Sequence, residues 1–459
     1  MNRIRINTLL LLLCIFLPGV AQDVSDGWNK NKTARLTKPV FVYNNWSAYD
    51  ELSDNIPLNE TLAMKELDHI ARLKKMGVQV DYYLMDAFWF DVNEGYRKWR
   101  LDCWPEGPKR WLDACKREGI KPGLWFSTNL LRIGGEANTM KVIPEWESSV
   151  AEDGVTLCLF RGGYLHHLMQ TLQMYADMGI KMFKFDFAYF DAATPDAKCT
   201  MLPADIEEQN KNAFISAIKE FRYKNPDVLF IGYNGFGGDL ENTVTPYRKT
   251  VDLRWLEIFD TMYCGDPRLS DVPMMNFWRS QDLYSDHMTF QYLFNGVPVQ
   301  RIDNCAFMIG TTGTCYNRAL NAWKGMMILT MSRGGWLNVC HGNIDLLSDD
   351  DACWMAKVQQ LYMKVQQYGN ISAFGSIPGK ALPYGYMASA EGGNLYTVVN
   401  ASQEKVKVTL PEATGTGRVL FTDSGFIPVL EKNIVELGPE HMAVVGYGKF
   451  CARGYDLGI

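Results

Sequence analysis

The stretch YLHHLMQTLQMYADMGIKMFKFDF, residues 164–187, reads as a helix that leads into a buried strand. Residues 164–180 carry apolar side chains at helical spacing, and residues 181–187 are almost entirely apolar and aromatic. Asp186 is the one carboxylate in that strand. Lys184 lies two residues before it, so both side chains point to the same side of the strand. Carboxylates are rarely buried without a partner or a function, and the rest of the chain indicates which applies here.

The alternation of helix and apolar strand continues on both sides of this stretch, across residues 36–368. Strands with apolar residues on both faces indicate a parallel sheet covered by helices. Eight such units favour an α/β fold, the (β/α)8 or TIM barrel, over an open sheet. The predicted helices are 59–77, 107–120, 164–180 and 206–225. The predicted strands are 39–46, 80–90, 121–127, 181–187, 228–235, 274–282, 307–310 and 336–340.

The pattern changes after the barrel. NLYTVVNAS, KVKVTL, GRVLFTD and HMAVVGYG are short runs of alternating polarity, separated by glycine, proline and aspartate. Such runs are typical of antiparallel strands joined by tight turns. Residues 372–459 are therefore predicted to form a small C-terminal antiparallel β-sandwich domain.

The N-terminus has the pattern of an export signal. Two arginines precede an apolar run that is too short to span a bilayer, and small residues follow it. Residues 1–21 are expected to be a signal peptide, so that the mature protein is periplasmic or secreted. No later segment reaches the roughly 18 consecutive apolar residues of a membrane span.

Composition excludes several classes of function. The formal net charge of −6 disfavours a nucleic-acid partner, which a basic face would indicate. The chain has only six histidines and no HExxH-type arrangement, so neither a metal nor another cofactor is expected. Ten cysteines follow the signal peptide; they permit disulfides, but their pairing cannot be read from the sequence.

In a TIM barrel, functional residues lie at the C-terminal ends of the strands. Carboxylates, aromatic rings and a lysine meet at this face, a layout that suits glycoside hydrolysis by two carboxyl groups. A cation at Lys184 is expected to favour the ionised form of Asp186, as a nucleophile requires. The strand-end residues are Trp46, Asp86, Trp89, Trp125, Lys184, Asp186, Asn234, Arg279 and Asp282.

Four segments carry a family resemblance: residues 39–50, 121–126, 156–186 and 277–292. In this order they resemble the catalytic barrel of glycoside hydrolase clan D, closest to the family 36 α-galactosidases, with features of family 27. The resemblance implies a retaining mechanism through a covalent glycosyl-enzyme, acting on an oligosaccharide or glycan. The family's K-W-D-M-N motif matches residues 184–188, so Asp186 is the implied nucleophile.

The implied acid/base lies in Trp278-Arg279-Ser280-Gln281-Asp282. Alignment with family 36 places Gln281 at the acid position, whereas the family 27 spacing places Asp282 there. Only Asp282 can supply a proton, so it is the predicted acid/base. Asp286 is the fallback, and Asp260 and Asp266 are more distant alternatives.

The resemblance also implies a set of substrate-binding residues, in which two substitutions stand out. Ala87 replaces the second aspartate of the strand-two pair, and Ala188 replaces the asparagine of the nucleophile motif. We therefore expect an α-galactosidase, with α-N-acetylgalactosaminidase, arabinopyranosidase or a catalytically silent carbohydrate-binding barrel as alternatives. The sequence does not fix the oligomeric state. The implied contacts are Trp46, Asp86, Trp89, Trp125, Lys184, Asn234, Arg268 and Arg279.

Overall fold

The structure is a computed structural model. It describes residues 36–46, 48, 59–87, 89–133, 136–236, 251–263, 282, 285–304, 307–309, 323–423 and 426–458. The predicted signal peptide and two predicted substrate contacts, Arg268 and Arg279, lie outside these residues. Within them, no helix is long and apolar enough to cross a membrane.

A closed ring of parallel strands forms the centre of the fold. Successive strands pair in chain order, and β9 pairs back onto β1, which closes the barrel. The predicted TIM barrel is thereby confirmed. The strands are β1 Val40–Asn44, β2 Tyr82–Met85, β3 Lys121–Ser127, β4 Met182–Asp186, β5 Leu229–Gly232, β6 Thr261–Tyr263, β7 Ile302–Asp303, β8 Phe307–Ile309 and β9 Leu337–Gly342.

Two strands differ from the sequence prediction. The sixth strand of the described ring is Thr261–Tyr263, whose three residues are too few to show a pattern. Of the strand predicted at 274–282, residues 274–281 lie outside the described part of the chain. The seventh consists of two segments, β7 and β8. Both pair with β9, with Asp303 opposite Leu337 and Phe307 opposite Cys340, so they follow one another along the same edge. The predicted strand at 307–310 is therefore the second half of a strand that begins at Ile302.

Helices surround the ring. The first, α1, begins where the Asn59 side chain accepts a hydrogen bond of 2.9 Å from Leu62 N. A capping box between Ser348 and Asp351 starts the last, α8. The helices are α1 Glu60–Lys75, α2 Lys109–Arg117, α3 Tyr164–Asp177, α4 Pro195–Thr200, α5 Pro203–Lys224, α6 Ser285–Phe294, α7 Trp323–Ser332 and α8 Asp349–Tyr368.

Side chains alternate between the two faces of each barrel strand. On β4, Phe183 and Phe185 point outward and pack edge-on against Phe221 and Phe214 of α5. Lys184 therefore faces the inside of the ring, as does Asp186. This alternation explains how two charged residues occupy a strand whose outer face is aromatic.

A β domain follows α8, as predicted. One sheet has the order β10-β11-β12-β17-β14, and a second has the order β13-β16-β15. The core between them includes Tyr396, Val398, Val435 and Leu437, so the two sheets form a sandwich. The strands are β10 Asn370–Gly375, β11 Tyr384–Ala390, β12 Gly393–Asn400, β13 Val406–Thr409, β14 Gly417–Thr422, β15 Val429–Glu431, β16 Ile434–Leu437 and β17 His441–Tyr447.

The cysteines in the described part of the chain are free thiols. Cys158 is buried beside Asn210. Three further cysteines, Cys264, Cys305 and Cys315, lie outside the described residues.

Candidate active site

The inner face of the ring becomes polar at the C-terminal ends of the strands. Trp125 on β3 is in register with Lys184 on β4, and Ser127 is in register with Asp186. Asp86 directly follows β2, and Asn234 follows β5 by two residues. We call this end of the barrel the mouth. It brings together Asp86, Trp125, Lys184, Asp186 and Asn234, all of which the sequence predicts for one site.

A buried ion pair crosses the mouth. Lys184 Nζ lies 2.8 Å from Asp86 Oδ2, and both side chains are about 95% shielded from solvent. The ammonium also lies 4.1 Å from the centre of the Tyr233 ring, where it gains a cation–π contact. Lys184 is therefore fixed by Asp86 and Tyr233.

Asp186 is held by N–H donors. Oδ1 accepts hydrogen bonds from the Asn234 side chain at 2.8 Å, from Asn234 N at 3.2 Å and from Phe187 N at 2.9 Å. Oδ2 accepts one longer bond, 3.3 Å, from the indole of Trp125. Among the described residues, Oδ1 is thus fully engaged and Oδ2 is the more available oxygen.

Burial raises the pKa of Asp186 above its ordinary value. Lys184 and the hydrogen bond from Asn234 act in the opposite direction and do not overcome the loss of water. Lys184 favours the ionised form of Asp186, as expected, but its effect on the pKa is smaller than that of desolvation.

The backbone after Asp186 has an unusual conformation. Phe187 has a φ of +48°, a region that non-glycine residues rarely occupy and that costs energy. Ala188 N donates to Asn234 O at 3.1 Å, and a Cβ on Gly235 would lie 2.3 Å from the Ala188 carbonyl oxygen. The chain after β4 is therefore pressed against the chain after β5, which fixes Asn234 beside Asp186.

The three predicted tryptophans have different positions. Trp125 is buried, and its N–H meets Asp186, so it orients the carboxylate rather than offering a free face. Trp46, half-buried, lies edge-on to the His341 ring at 5.4 Å. Trp89 is fully buried in an aromatic cluster with Trp99, and its indole donates to the Trp125 carbonyl. Its predicted sugar contact is corrected, because it packs behind β3.

The predicted acid/base residues face the C-terminal domain. Asp282 accepts hydrogen bonds from Gly379 N at 2.7 Å and Ala381 N at 3.1 Å, in the loop before β11. Asp286 pairs with Arg333 Nε at 2.7 Å, with both side chains fully buried. These contacts favour structural roles for both aspartates, and the acid/base role of Asp282 stays a prediction from its motif.

Of the two more distant acid/base alternatives, Asp260 lies within the described residues and Asp266 does not. Asp260 precedes β6, so it lies at the opposite end of the ring from the mouth, where Arg222 Nη2 contacts it at 2.7 Å. It is therefore excluded by position. Asp266 lies outside the described residues, together with Gln281.

His341 is a mouth residue that is not among the residues predicted from the sequence. It lies on β9, one residue beyond the predicted end of strand eight, and is in register with Asn44. Cys340 faces outward toward Tyr43 and Met355, so His341 faces the inside of the ring. Extending the alternation of Leu337 and Val339 by two residues would have identified it.

The part of the chain that the structure describes contains no group of three histidine, cysteine, aspartate or glutamate side chains that could hold a metal ion. The donors that converge at the mouth are instead two carboxylates, an ammonium, an amide and aromatic rings. Such a set can bind hydroxyl groups and place one carboxylate against an electrophilic carbon.

Comparison with known proteins agrees with the motifs. No protein-family model matches the chain. The α-galactosidase Mel36A of Lactobacillus acidophilus is 26% identical to it over 226 residues, which is 46% of this chain and 29% of that protein. This match confirms the resemblance to family 36 α-galactosidases, although the chain spans less than a third of Mel36A.

Solved structures share the fold. The galactosidase domain of the α-galactosidase–sucrose kinase AgaSK superposes with a TM-score of 0.63 and 15% identity, covering 94% of this chain and 58% of that one. A variant of the family 36 α-galactosidase AgaA of Geobacillus stearothermophilus, in complex with 1-deoxygalactonojirimycin, gives 0.59 and 15%, covering 90% and 56%. Other AgaA variants have been solved with raffinose and with stachyose.

Proposed function

We propose that this protein is a retaining glycoside hydrolase that removes terminal α-linked sugars, with α-galactosides as the first choice. The observation that carries the proposal is Asp186, a buried carboxylate at the mouth of a TIM barrel whose one oxygen is fixed and whose other is available. The similarity to α-galactosidases supports galactose.

In the first step, Asp186 Oδ2 attacks the anomeric carbon while the bond to the leaving oxygen breaks. The donors on Oδ1 hold the carboxylate in one orientation, so little reorganisation is needed during attack. Water then releases the sugar from the covalent ester, and the two inversions together retain the anomeric configuration. Attack requires the ionised form of Asp186, which Lys184 supports.

A second carboxylic acid must protonate the leaving oxygen and later activate the water. If Asp282 is that acid, Asp282→Ala will still turn over substrates with very good leaving groups, and added azide will restore its rate. The contacts of Asp282 with Gly379 and Ala381 predict the opposite, a loss of stability without azide rescue. Asp266→Ala, measured in parallel, tests whether Asp266 is the acid/base residue instead.

Sugar hydroxyls would be bound by the groups around Asp186. Asp86 offers a carboxylate acceptor and Lys184 a donor, both already oriented by their ion pair. Trp46 is partly open and offers apolar surface for the C–H side of a ring. Raffinose and stachyose, which AgaA variants bind, are the oligosaccharides to test first. Nitrophenyl α-glycosides of galactose, N-acetylgalactosamine and arabinose would separate the expected activity from its close alternatives.

The decisive experiment is trapping with an activated fluoro-α-galactoside, followed by mass spectrometry of the intact protein. We expect one added sugar, located on a peptide that contains Asp186, and no adduct on Asp186→Asn. An adduct on another residue would refute the nucleophile assignment. If no α-configured fluorosugar of any of the candidate sugars labels the protein, a silent carbohydrate-binding barrel is the better description.

Export is also part of the proposal, supported by the pattern of residues 1–21. N-terminal sequencing of the protein recovered outside the cytoplasm should start shortly after Ala21. A cytoplasmic protein that starts at Met1 would contradict it.

A further inference from the structure

His341 is a polar side chain directed into the mouth. It is 99% buried, and neither ring nitrogen makes a hydrogen bond of good geometry with a described residue, although the backbone of Asn44 is near enough to act on the ring. Its neighbours on the inner face are Trp46, in edge-on contact, and the Asp86–Lys184 pair, whose charges act on it. Burying a ring whose polar atoms lack hydrogen bonds of good geometry is unfavourable unless a ligand supplies them.

The ring is neutral over the working range of most enzymes. Burial and, to a smaller extent, the Lys184 ammonium lower the pKa of His341 to about 3, while Asp86 and the backbone of Asn44 oppose the shift. A neutral imidazole carries one N–H donor and one nitrogen acceptor. Its ligand is therefore a group that can both donate and accept hydrogen bonds.

Other ligand classes fit less well. A metal ion would lie close to the Lys184 ammonium, which repels it, and the described residues form no group of three histidine, cysteine, aspartate or glutamate side chains that could hold one. An anion gains no charge pairing from a neutral ring. A hydroxyl group can either donate to the acceptor nitrogen or accept from the N–H, and it needs no charge.

We propose that His341 is a sugar-binding residue, which exchanges a hydrogen bond with one hydroxyl of the sugar that Asp86 and Trp46 also contact. This inference rests on the proposed function, because it places the ligand in the same mouth. It adds a specificity contact on the eighth strand of the ring, on the far side of β1 from Asp86.

The test measures sugar binding by calorimetry, so that it does not depend on turnover. The probes are methyl α-galactoside and its 2-, 3-, 4- and 6-deoxy forms, titrated into the wild type, His341→Leu and His341→Ala. In the wild type, loss of the contacted hydroxyl should weaken binding about 10- to 100-fold. In both variants, removing the contacted hydroxyl should hardly weaken binding any further. The losses of affinity caused by removing the other hydroxyls should persist.

Melting curves identify a variant that is not folded, and the alanine variant carries the test if the leucine variant fails. The matched control is His167→Gln, at a buried histidine whose Nε2 lies 2.8 Å from the Gly95 carbonyl, away from the mouth. It should keep all four losses of affinity. Unchanged losses in the His341 variants, or no binding of any of these sugars, would overturn the inference. Sugar binding with this pattern but without fluorosugar labelling would refute catalysis alone.

Discussion

Asp186 at the mouth and Asp286 at the junction with the β domain are both buried carboxylates, but their surroundings differ. Asp286 Oδ1 meets Arg333 Nε at 2.7 Å and the Tyr386 hydroxyl at 2.6 Å, and Oδ2 meets the Tyr384 hydroxyl at 2.6 Å. Among the described residues, Asp186 has N–H donors only, and the nearby Lys184 is paired with Asp86 instead. Within that part of the chain, Asp286 pairs directly with a cation and Asp186 does not.

This difference separates a structural group from a reactive one. A carboxylate whose two oxygens are both taken by close, fixed partners stabilises the fold, and removing it leaves a charge behind. A carboxylate that keeps one loosely held oxygen and lacks a directly bonded cation can still form a new bond. Position in the sequence does not distinguish the two, since both aspartates lie in largely apolar segments.

The largest effect is expected on turnover at the mouth. Asp186→Asn should lower kcat by at least about 1,000-fold, because an amide cannot form the glycosyl ester. Its melting temperature should equal or exceed that of the wild type, since a desolvated carboxylate has been removed. Steady-state kinetics and thermal melts check both. Retained turnover, or a large loss of stability, would contradict the assignment of Asp186 as a reactive rather than a structural carboxylate.

The second effect is expected on stability at the junction. Asp286→Asn should destabilise the protein by about 3–5 kcal/mol, because Arg333 is left as a buried charge without its carboxylate. The kcat of the folded protein should stay unchanged. Denaturant unfolding measures the loss, with Asp349→Asn as the control, an exposed partner of Arg72 that should matter by less than about 1 kcal/mol. A fall in kcat that azide restores would instead identify Asp286 as the acid/base.

A smaller effect tests how the mouth keeps Asp186 ionised. Lys184→Met should lower kcat/KM about 10- to 100-fold and move the acidic limb of the pH profile to higher pH. The direction follows because Lys184 lowers the pKa of Asp186, so its removal raises that pKa further. Lys181→Met, which removes an exposed partner of Asp227 just before the same strand, should leave the profile in place. A shift of the limb to lower pH would contradict this account.

The smallest effect concerns a third buried carboxyl, Glu66 of α1, behind the mouth. Burial raises its pKa to about 8, although the Tyr83 hydroxyl donates to it. The unfolded chain releases this proton near pH 4.5 and the folded protein keeps it, so stability falls as pH rises from about 4.5 to 8. Glu66→Gln should remove that slope, so the variant gains stability relative to the wild type as pH rises from about 4.5 to 8. Glu220→Gln, on an exposed helix face, should leave the slope unchanged; a steeper slope in Glu66→Gln would refute the prediction.

Much of the fold can be predicted because the polarity pattern along a segment agrees with the position that the segment takes in the barrel. On β4 the apolar run, the charged exceptions and the preceding helix all agree, and the strand lies within one residue of its predicted bounds. The sixth strand could not be predicted, because three residues show no alternation and a longer aromatic stretch nearby gave a stronger signal. Strand pairing with β5 and β7 defines it, and that is tertiary information.

The candidate site was predictable in part for the same reason. Asp86, Lys184 and Asp186 are charges at the ends of apolar strands, which burial makes conspicuous. Trp89 carries a similar signal and yet packs in the core, because an aromatic ring suits a sugar and a hydrophobic cluster equally well. Asp282 and Asp286 lie four residues apart near the start of α6, and only the docked β domain shows what they contact.

The junction also bears on how the protein is made. Tyr384 and Tyr386 follow Asp286 by 98 and 100 residues, so the ribosome releases these two partners of the aspartate well after Arg333. At a synthesis rate of about 5–20 residues per second, Tyr384 and Tyr386 are made roughly 5–20 seconds after Asp286 on α6. Until then α6 cannot pack against the β domain. A protein truncated after α8 would therefore lack the β domain that Asp282, Asp286 and Arg333 face. Quality-control proteases would encounter the barrel with this surface uncovered.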